Sequence, residues 1–169
     1  RASHYTDGTP INGAFDYNNN PSLAAEYGKL YTWQAAMQNA PPNNNLKSGI
    51  QGACPTGYHI PSENEWKTLV DNVSGRGAAS GRKLKMPGTN HWDLANGTNE
   101  TGFSGLPGGF CYYWEFISFS SITQYGVWWS ATEHSAPFAW RRTLTDDYAG
   151  VIRGYDDKEW CLSVRCVRD

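Results

Sequence analysis

The strongest hydrophobic pattern in the chain runs over residues 62–73. Four apolar residues recur there at helical spacing and form one stripe: Trp66, Leu69, Val70 and Val73. Ser62 and Glu65 have the spacing of a capping box, in which each side chain accepts a hydrogen bond from an otherwise unpaired amide. The pattern predicts a helix over residues 62–73 that ends where residues 74–77 weaken helix propensity.

The chain before this helix has weaker patterns. Residues 1–20 are polar and rich in turn residues, which predicts a leading segment with at most one edge strand. Aromatic and polar residues alternate over residues 27–33, as in a half-buried strand. A short helix is predicted over residues 34–39, because Pro41 and Pro42 end helical structure.

After residue 80, glycines divide the chain into short segments, with a long loop around residues 90–94. The pattern then predicts short strands separated by turns, over residues 110–113, 126–130, 139–143, 149–153 and 162–167. Strands joined in this way form an antiparallel meander. A capped helix followed by such a meander indicates the α+β class.

Composition is typical of one loop-rich domain over residues 1–169, with residues 1–20 leading into it. Aromatic residues make up 14% of the chain and charged residues 18%, so large rings supply much of the core. The net charge of -2 provides no basic surface for nucleic acid. No apolar run approaches the roughly 20 residues of a membrane span. We therefore expect neither nucleic-acid binding nor direct membrane insertion.

The cysteines indicate an oxidising compartment. There are four, Cys54, Cys111, Cys161 and Cys166, and their spacing does not match a zinc site. Two disulfides are the main expectation, and buried free thiols are the alternative. Because the chain begins at Arg1 rather than Met, any export signal would lie upstream. We expect an extracytoplasmic location: secreted, on the cell surface or associated with a pilus.

Alternation along the last predicted strand limits the disulfide pairing. Cys161 and Cys166 lie an odd number of positions apart, so a continuous strand would place them on opposite faces. They are therefore not expected to bond to each other. Two pairings remain: Cys54 with Cys166 and Cys111 with Cys161, or the crossed arrangement.

Catalytic motifs are weak in this chain, and we expect that it is not an enzyme. The four histidines, His4, His59, His91 and His134, lack metal-ligand spacing, and His59 is expected to be a core residue. Residues 102–105 resemble a nucleophile elbow only loosely. We expect no required cofactor.

Acidic and amide side chains are candidate ligands for a calcium ion. Such oxygens occur at Asp146, Asp147, Asp156 and Asp157 and, in the long loop, at Asp93, Asn96, Asn99 and Glu100. Hard oxygen ligands of this kind suit Ca²⁺. The alternative is ordinary turn chemistry, since Asp and Asn favour turns.

Several ordered stretches together resemble one known family. They are residues 27–36, residues 53–61 with Glu65 and Trp66, residues 101–109, residues 128–133 and residues 163–168. These stretches resemble the major paralogous domain first recognised in Fibrobacter succinogenes, which is found in exported proteins of Bacteroidota and relatives. The resemblance extends from about Asp7 to the end of the chain.

The resemblance implies a C-type lectin-like fold, with one or two helices, antiparallel sheets, long loops and disulfide staples. The nested cysteine pattern of such folds favours Cys54 with Cys166 and Cys111 with Cys161. The sugar-binding motifs of calcium-dependent lectins are not present, and Trp92 with Asp93 is only a fragment of one. Some proteins of this kind are adhesins at pilus tips or are diversified by retroelements, so either a protein or a glycan is an expected partner.

The segment 134–160 is the predicted ligand-binding site. On the strand after residue 139, Arg141, Thr143 and Thr145 share one face, while Trp140 shares the other, packing face with Arg142 and Leu144. The predicted contact residues are His134, Phe138, Arg141, Thr143, Thr145, Ile152, Tyr155 and Trp160. The alternative is an ordinary solvated sheet face.

Two other functions compete with ligand binding. A formylglycine-generating oxidase has a related fold and uses a redox-active cysteine pair, for which Cys161 and Cys166 are the candidates. A structural spacer in a surface appendage is the other alternative.

Overall fold

The structure, a computed structural model, describes residues 1–74, 79–113 and 115–169. Its described helices all lie in the first half of the chain. They are a short 3-10 turn at Tyr17–Asn19 and the α-helices α1 (Pro21–Tyr27), α2 (Trp33–Met37), α3 (Glu63–Ser74) and α4 (Ser80–Leu84).

Helix α3 confirms the predicted capped helix, shifted by one residue. The amide of Glu65 donates to the Ser62 hydroxyl at 3.1 Å, and the amide of Ser62 donates to the Glu65 carboxylate at 2.9 Å. Trp66 on the apolar stripe is buried. The prediction that residues 74–77 end the helix extends beyond the described residues, which stop at 74 and resume at 79.

The region before α3 is more helical than the sequence pattern predicts. Helix α1 begins at Pro21, and the Asn20 side chain accepts from the Ser22 amide to cap it. The strand predicted over residues 27–33 is reduced to β2 (Leu30–Tyr31), which pairs with β1 (Ala14–Phe15). The predicted helix over residues 34–39 is present as α2, which begins and ends earlier than expected.

Five strands form the main sheet: β4 (Gly108–Tyr113), β5 (Ile117–Ile122), β6 (Tyr125–Ser135), β7 (Phe138–Thr145) and β8 (Ile152–Asp157). Their order is β5-β4-β6-β7-β8. Strands β6, β7 and β8 are antiparallel neighbours, but β4 pairs with β5 as a hairpin and meets β6 in parallel at Gly109 and Gly126. The prediction of one continuous meander is therefore wrong, and β5 was missed.

The last predicted strand, residues 162–167, divides into two pieces. Residues 161–163 lie between β4 and β6: Cys161 exchanges backbone hydrogen bonds with Cys111, and Ser163 bonds with Val127 and Trp129. Farther on, β9 (Val167–Arg168) pairs with β3 (Tyr58–His59). This second pairing ties the end of the described chain to the start of α3.

Both sides of the main sheet are covered where β6 and β7 run together. Because neighbouring strand residues point to opposite faces, Trp128 packs in a cluster with Trp66 and Leu144, while Trp129 packs in another with Ala139 and Leu162. The buried indole of Trp129 donates to the Tyr31 carbonyl at 2.8 Å. Residues of β7 in this region are therefore buried whichever face they occupy.

Two nested disulfides link distant segments. Cys54 bonds to Cys166, with Cα atoms 5.7 Å apart, and Cys111 bonds to Cys161, with Cα atoms 4.8 Å apart. The structure thus confirms the pairing that the resemblance favoured. The crossed arrangement and the free thiols are wrong, since all four cysteines are bonded.

Candidate functional site

A cluster of four rings lies on one face of the sheet at its β8 edge. The rings of His134 and Tyr155 stack with centroids 4.0 Å apart and an angle of 12°. Trp140 meets both edge-on, at 4.5 Å from His134 and 5.8 Å from Tyr155. Phe138 packs against Tyr155 at 5.5 Å. We call these four residues the aromatic platform.

Strand register builds the aromatic platform. Trp140 lies directly opposite Tyr155, and directly opposite residues of an antiparallel pair share a face. Phe138 joins them because it lies two positions before Trp140. His134 lies where β6 departs from regular pairing with β7, between Glu133 and Ser135. Tyr155 is 48% exposed, and the His134 side chain is also exposed, so the platform faces solvent.

A charged network adjoins the aromatic platform. The Arg153 guanidinium lies 3.5 Å from the centroid of the Trp140 ring and also donates to Glu63. Glu63 receives two further hydrogen bonds from Arg142, both 2.7 Å long. Arg142 and Glu63 are buried, whereas the Arg153 side chain is 53% exposed. The single carboxylate of Glu63 thus faces two guanidinium groups. The excess positive charge lies on Arg153, the exposed one of the two.

Beyond Arg153 the surface opens into a cleft of about 480 Å³. Seven polar residues and two valines of α3, of β7 and β8 and of nearby loops line it: Asn44, Glu63, Asn64, Lys67, Val70, Asp71, Arg142, Val151 and Arg153. We call it the polar cleft. Since Arg153 contacts Trp140 and also lines the cleft, the platform and the cleft form one continuous surface.

A family model described as the Fibrobacter succinogenes major domain matches residues 1–168. The chain belongs to this family. No curated protein and no solved structure matches it. In the described ranges, no helix has both the length and the apolar character needed to cross a membrane.

Three of the eight predicted contact residues come together, and the other five do not join them. His134, Phe138 and Tyr155 lie in the platform. The other face of the sheet carries Arg141, Thr143, Thr145 and Ile152, because Arg141 pairs with Gly154 and Thr143 with Ile152. Alternation along the sequence correctly placed Arg141 and Trp140 on opposite faces. It could not place Tyr155 beside Trp140, because that requires the pairing register of β7 with β8.

Two of these four residues, Thr143 and Thr145, are buried. Thr143 and Thr145 are each only 2% exposed, because the sheet is covered on both sides at this end of β7. Arg141 is engaged within the protein: its Nε donates to Asp156 at 2.6 Å and its guanidinium also donates to Thr143. Ile152 is exposed, but it lies on the face opposite the platform.

Trp160 lies in a different aromatic cluster. Its ring stacks on Phe110 with centroids 5.5 Å apart and an angle of 10°, and it also contacts Tyr112. Conversely, the sequence pattern assigned Trp140 to packing, yet this half-buried ring contacts His134 and Tyr155 in the platform. The signal that was available is the alternation of Phe138 with Trp140, which places both rings on one face.

Many of the oxygen ligands considered for calcium bond to protein groups. Asp156 faces Arg141, Asp147 accepts from Thr145 at 2.7 Å, and Glu100 lies 3.3 Å from Lys83. Burial raises the pKa of Asp156, and Arg141 opposes that shift. Within the described ranges, no group of three or more His, Cys, Asp or Glu side chains is arranged to hold a metal ion. Calcium binding stays an untested prediction.

His59 is a buried structural residue, as predicted. Its Nε2 lies 2.6 Å from Glu65 and its Nδ1 lies 2.7 Å from Asp169. The hydrogen bond from His59 holds the pKa of Asp169 below its usual value. This pair of contacts joins the cap of α3 to the end of β9.

Proposed function

We propose that this domain is an exported binding module that recognises a protein or a glycan through the aromatic platform and the polar cleft. The observation that carries the proposal is the platform itself. Its four rings converge on a solvent-facing surface, whereas the core clusters of the fold are built from other residues.

The chemistry of this surface suits recognition. Tyr, Trp and Arg side chains concentrate binding energy in protein interfaces, because they bury much area at modest cost in conformational entropy. Rings beside polar side chains also suit sugars, which have apolar faces and hydroxyl edges. Arg153 connects the rings to the hydrogen-bonding groups of the polar cleft.

Export and a C-type lectin-like fold are parts of the same proposal. Two disulfides support an oxidising compartment. The capped helix, the β6-β7-β8 sheet and the end strand paired near α3 support the lectin-like arrangement. An adhesin on a surface appendage is the role that fits these features, and we propose that it needs no catalysis and no obligatory cofactor.

The first test is a screen of the purified domain against glycans and against host and bacterial surface proteins, with and without calcium. For any ligand found, we predict that Tyr155→Ala weakens binding about tenfold or more, since it removes a large exposed ring from the proposed contact surface. The melting temperature should change little, because Tyr155 lies at the surface and about half of its side chain is exposed.

Ile152→Ala is the matched control, since Ile152 is 37% exposed on the same strand but faces the other way. It should leave both binding and melting temperature nearly unchanged. A ligand whose affinity is insensitive to substitution of Tyr155 and His134, singly and together, would place the binding site elsewhere.

The two competing functions make different predictions. The oxidase needs a reactive cysteine pair, but Cys161 and Cys166 belong to separate disulfides, which favours binding. Copper uptake by the purified domain, or free thiols under non-reducing conditions, would support the oxidase. A spacer would bind nothing in the screen.

A further inference from the structure

A second recess lies on the opposite side of helix α3 from the polar cleft. It is a groove of about 710 Å³, bounded by α3, by residues 101–103 and by residues 165–167. Apolar groups dominate its lining, which includes Leu46, Pro61, Trp66, Leu69, Phe103 and Val167. We call it the helix groove.

Arg165 is the cationic group of the helix groove. It is half-buried, and its guanidinium lies 4.4 Å from the centroid of the Phe103 ring. Within the described part of the chain, no carboxylate lies at ion-pair distance from it. Burial lowers the pKa of Arg165, and no acidic neighbour offsets that shift. The groove therefore contains a partly dehydrated positive charge without a protein counter-ion among these residues.

The carboxylate that lines the same groove is already engaged. Glu65 accepts hydrogen bonds from the amides of Ser48 and Ser62, at 3.0 and 2.9 Å, and lies 2.6 Å from His59. These contacts hold it in the cap of α3 and leave it no role as a partner of Arg165. An external anion can supply what the described residues do not.

We propose that the helix groove binds a small apolar monocarboxylate, with the carboxylate on Arg165 and the hydrophobic body along Trp66, Leu69 and Phe103. A guanidinium binds a carboxylate through parallel hydrogen bonds, which are strong where water is partly excluded. The apolar lining favours a hydrocarbon body over a sugar or a free inorganic anion. This site shares no residue with the polar cleft or the aromatic platform, so it goes beyond the proposed function.

The test uses octanoate as the probe and 1-octanol as its uncharged analogue. Isothermal titration and the Trp66 side-chain resonance should show saturable binding of octanoate to the wild-type domain. Octanol should bind at least about tenfold more weakly, because it lacks the charge-assisted hydrogen bonds. Arg165→Gln should weaken octanoate binding by a similar factor and leave octanol binding unchanged.

Arg168→Gln is the matched control, since Arg168 is exposed in β9 and does not line the groove. It should bind octanoate like the wild type. If Arg165→Gln does not fold, Leu69→Ala and the octanol comparison still test the proposal, since Leu69→Ala should weaken both probes. No saturable octanoate binding, equal affinities for octanoate and octanol, or equal binding by a folded Arg165→Gln variant would each overturn it.

Discussion

Lys85 is an unusual residue because its ammonium group is enclosed by the fold. The residue is 0% exposed, and its Nζ donates to the Asn96 side chain at 2.8 Å and to the Tyr148 carbonyl at 2.9 Å. The Trp92 ring lies 5.2 Å away. Burial lowers the pKa of Lys85 to about 8.

This lowered pKa predicts that stability increases with pH above about 8. The ordinary lysine pKa of the unfolded chain is higher, about 10.4, so the unfolded chain binds more protons between the two values. The free energy of unfolding should therefore rise as pH is raised from about 8 towards 10. Urea denaturation across this range measures the effect.

Lys67→Met is the control for the Lys85 prediction, since Lys67 lies exposed on α3. The control should keep the rise with pH, and Lys85→Met should remove it. A wild-type stability that is flat or falls from pH 8 to about 9.5 would contradict the assignment.

At this scale the sequence predicted part of the candidate site. Alternation placed Trp140 and Arg141 on opposite faces of β7, as the structure has them. Alternation does not predict that Trp140 pairs with Tyr155, because the register of β7 and β8 is fixed by the turn between them and by packing. The burial of Thr143 could not be predicted from the sequence of β7 alone either, because it depends on the residues that cover the two faces of the sheet.

Helix α3 is the element on which both recesses depend, since one side lines the polar cleft and the other the helix groove. Its cap is made by Ser62, whose hydroxyl accepts from Glu65 and also donates to the Asn45 carbonyl at 2.6 Å. Ser62→Ala should lower the free energy of unfolding by about 1–2 kcal/mol, because the amide and the carbonyl both lose a partner.

The shift in the denaturant midpoint of Ser62→Ala measures the contribution of the cap to stability. Thr68→Ala is the control on the same helix: its exposed hydroxyl donates to the Asn64 carbonyl within the helix, so its removal should change stability by less than about 0.5 kcal/mol. Equal midpoints for Ser62→Ala and the wild type would mean that the cap contributes nothing.

Elements with a local signal were predicted, and those defined by distant contacts were not. Helix α3 has both a cap and an apolar stripe, so it was found to within one residue. Helix α1 has an Asn20 cap and Pro21 at its first position, a signal that was present but overlooked. Strand β5 was missed because all six of its residues are half-buried, so it shows no contrast between an inner and an outer face.

The disulfide between Cys54 and Cys166 stabilises the whole molecule by closing a loop of 112 sequence positions. Chain entropy alone assigns about 5 kcal/mol to a loop of this size, as an upper figure. We predict that the double substitution Cys54→Ala and Cys166→Ala lowers the free energy of unfolding by about 2–5 kcal/mol. Urea denaturation without reductant measures it.

The pair Cys111→Ala and Cys161→Ala serves as the comparison. Its loop spans 50 positions, so the chain-entropy part of its loss should be smaller by about 0.7 kcal/mol. Its cysteines are fully buried, so their removal also adds a packing cost. An unchanged midpoint for the Cys54 and Cys166 variant would show that the unfolded chain gains nothing from the open loop.

The same covalent loop decides how the domain would carry mechanical load. The platform residues, from His134 to Tyr155, all lie between Cys54 and Cys166 along the chain. Tension applied to the chain before Cys54 and after Cys166 crosses through the disulfide, so the covalent path of the load bypasses the strands inside the loop. Elements before Cys54, such as β1 and β2, would peel away first. A ligand held on the platform would therefore sit outside the covalent path of the load while the anchoring chain is pulled.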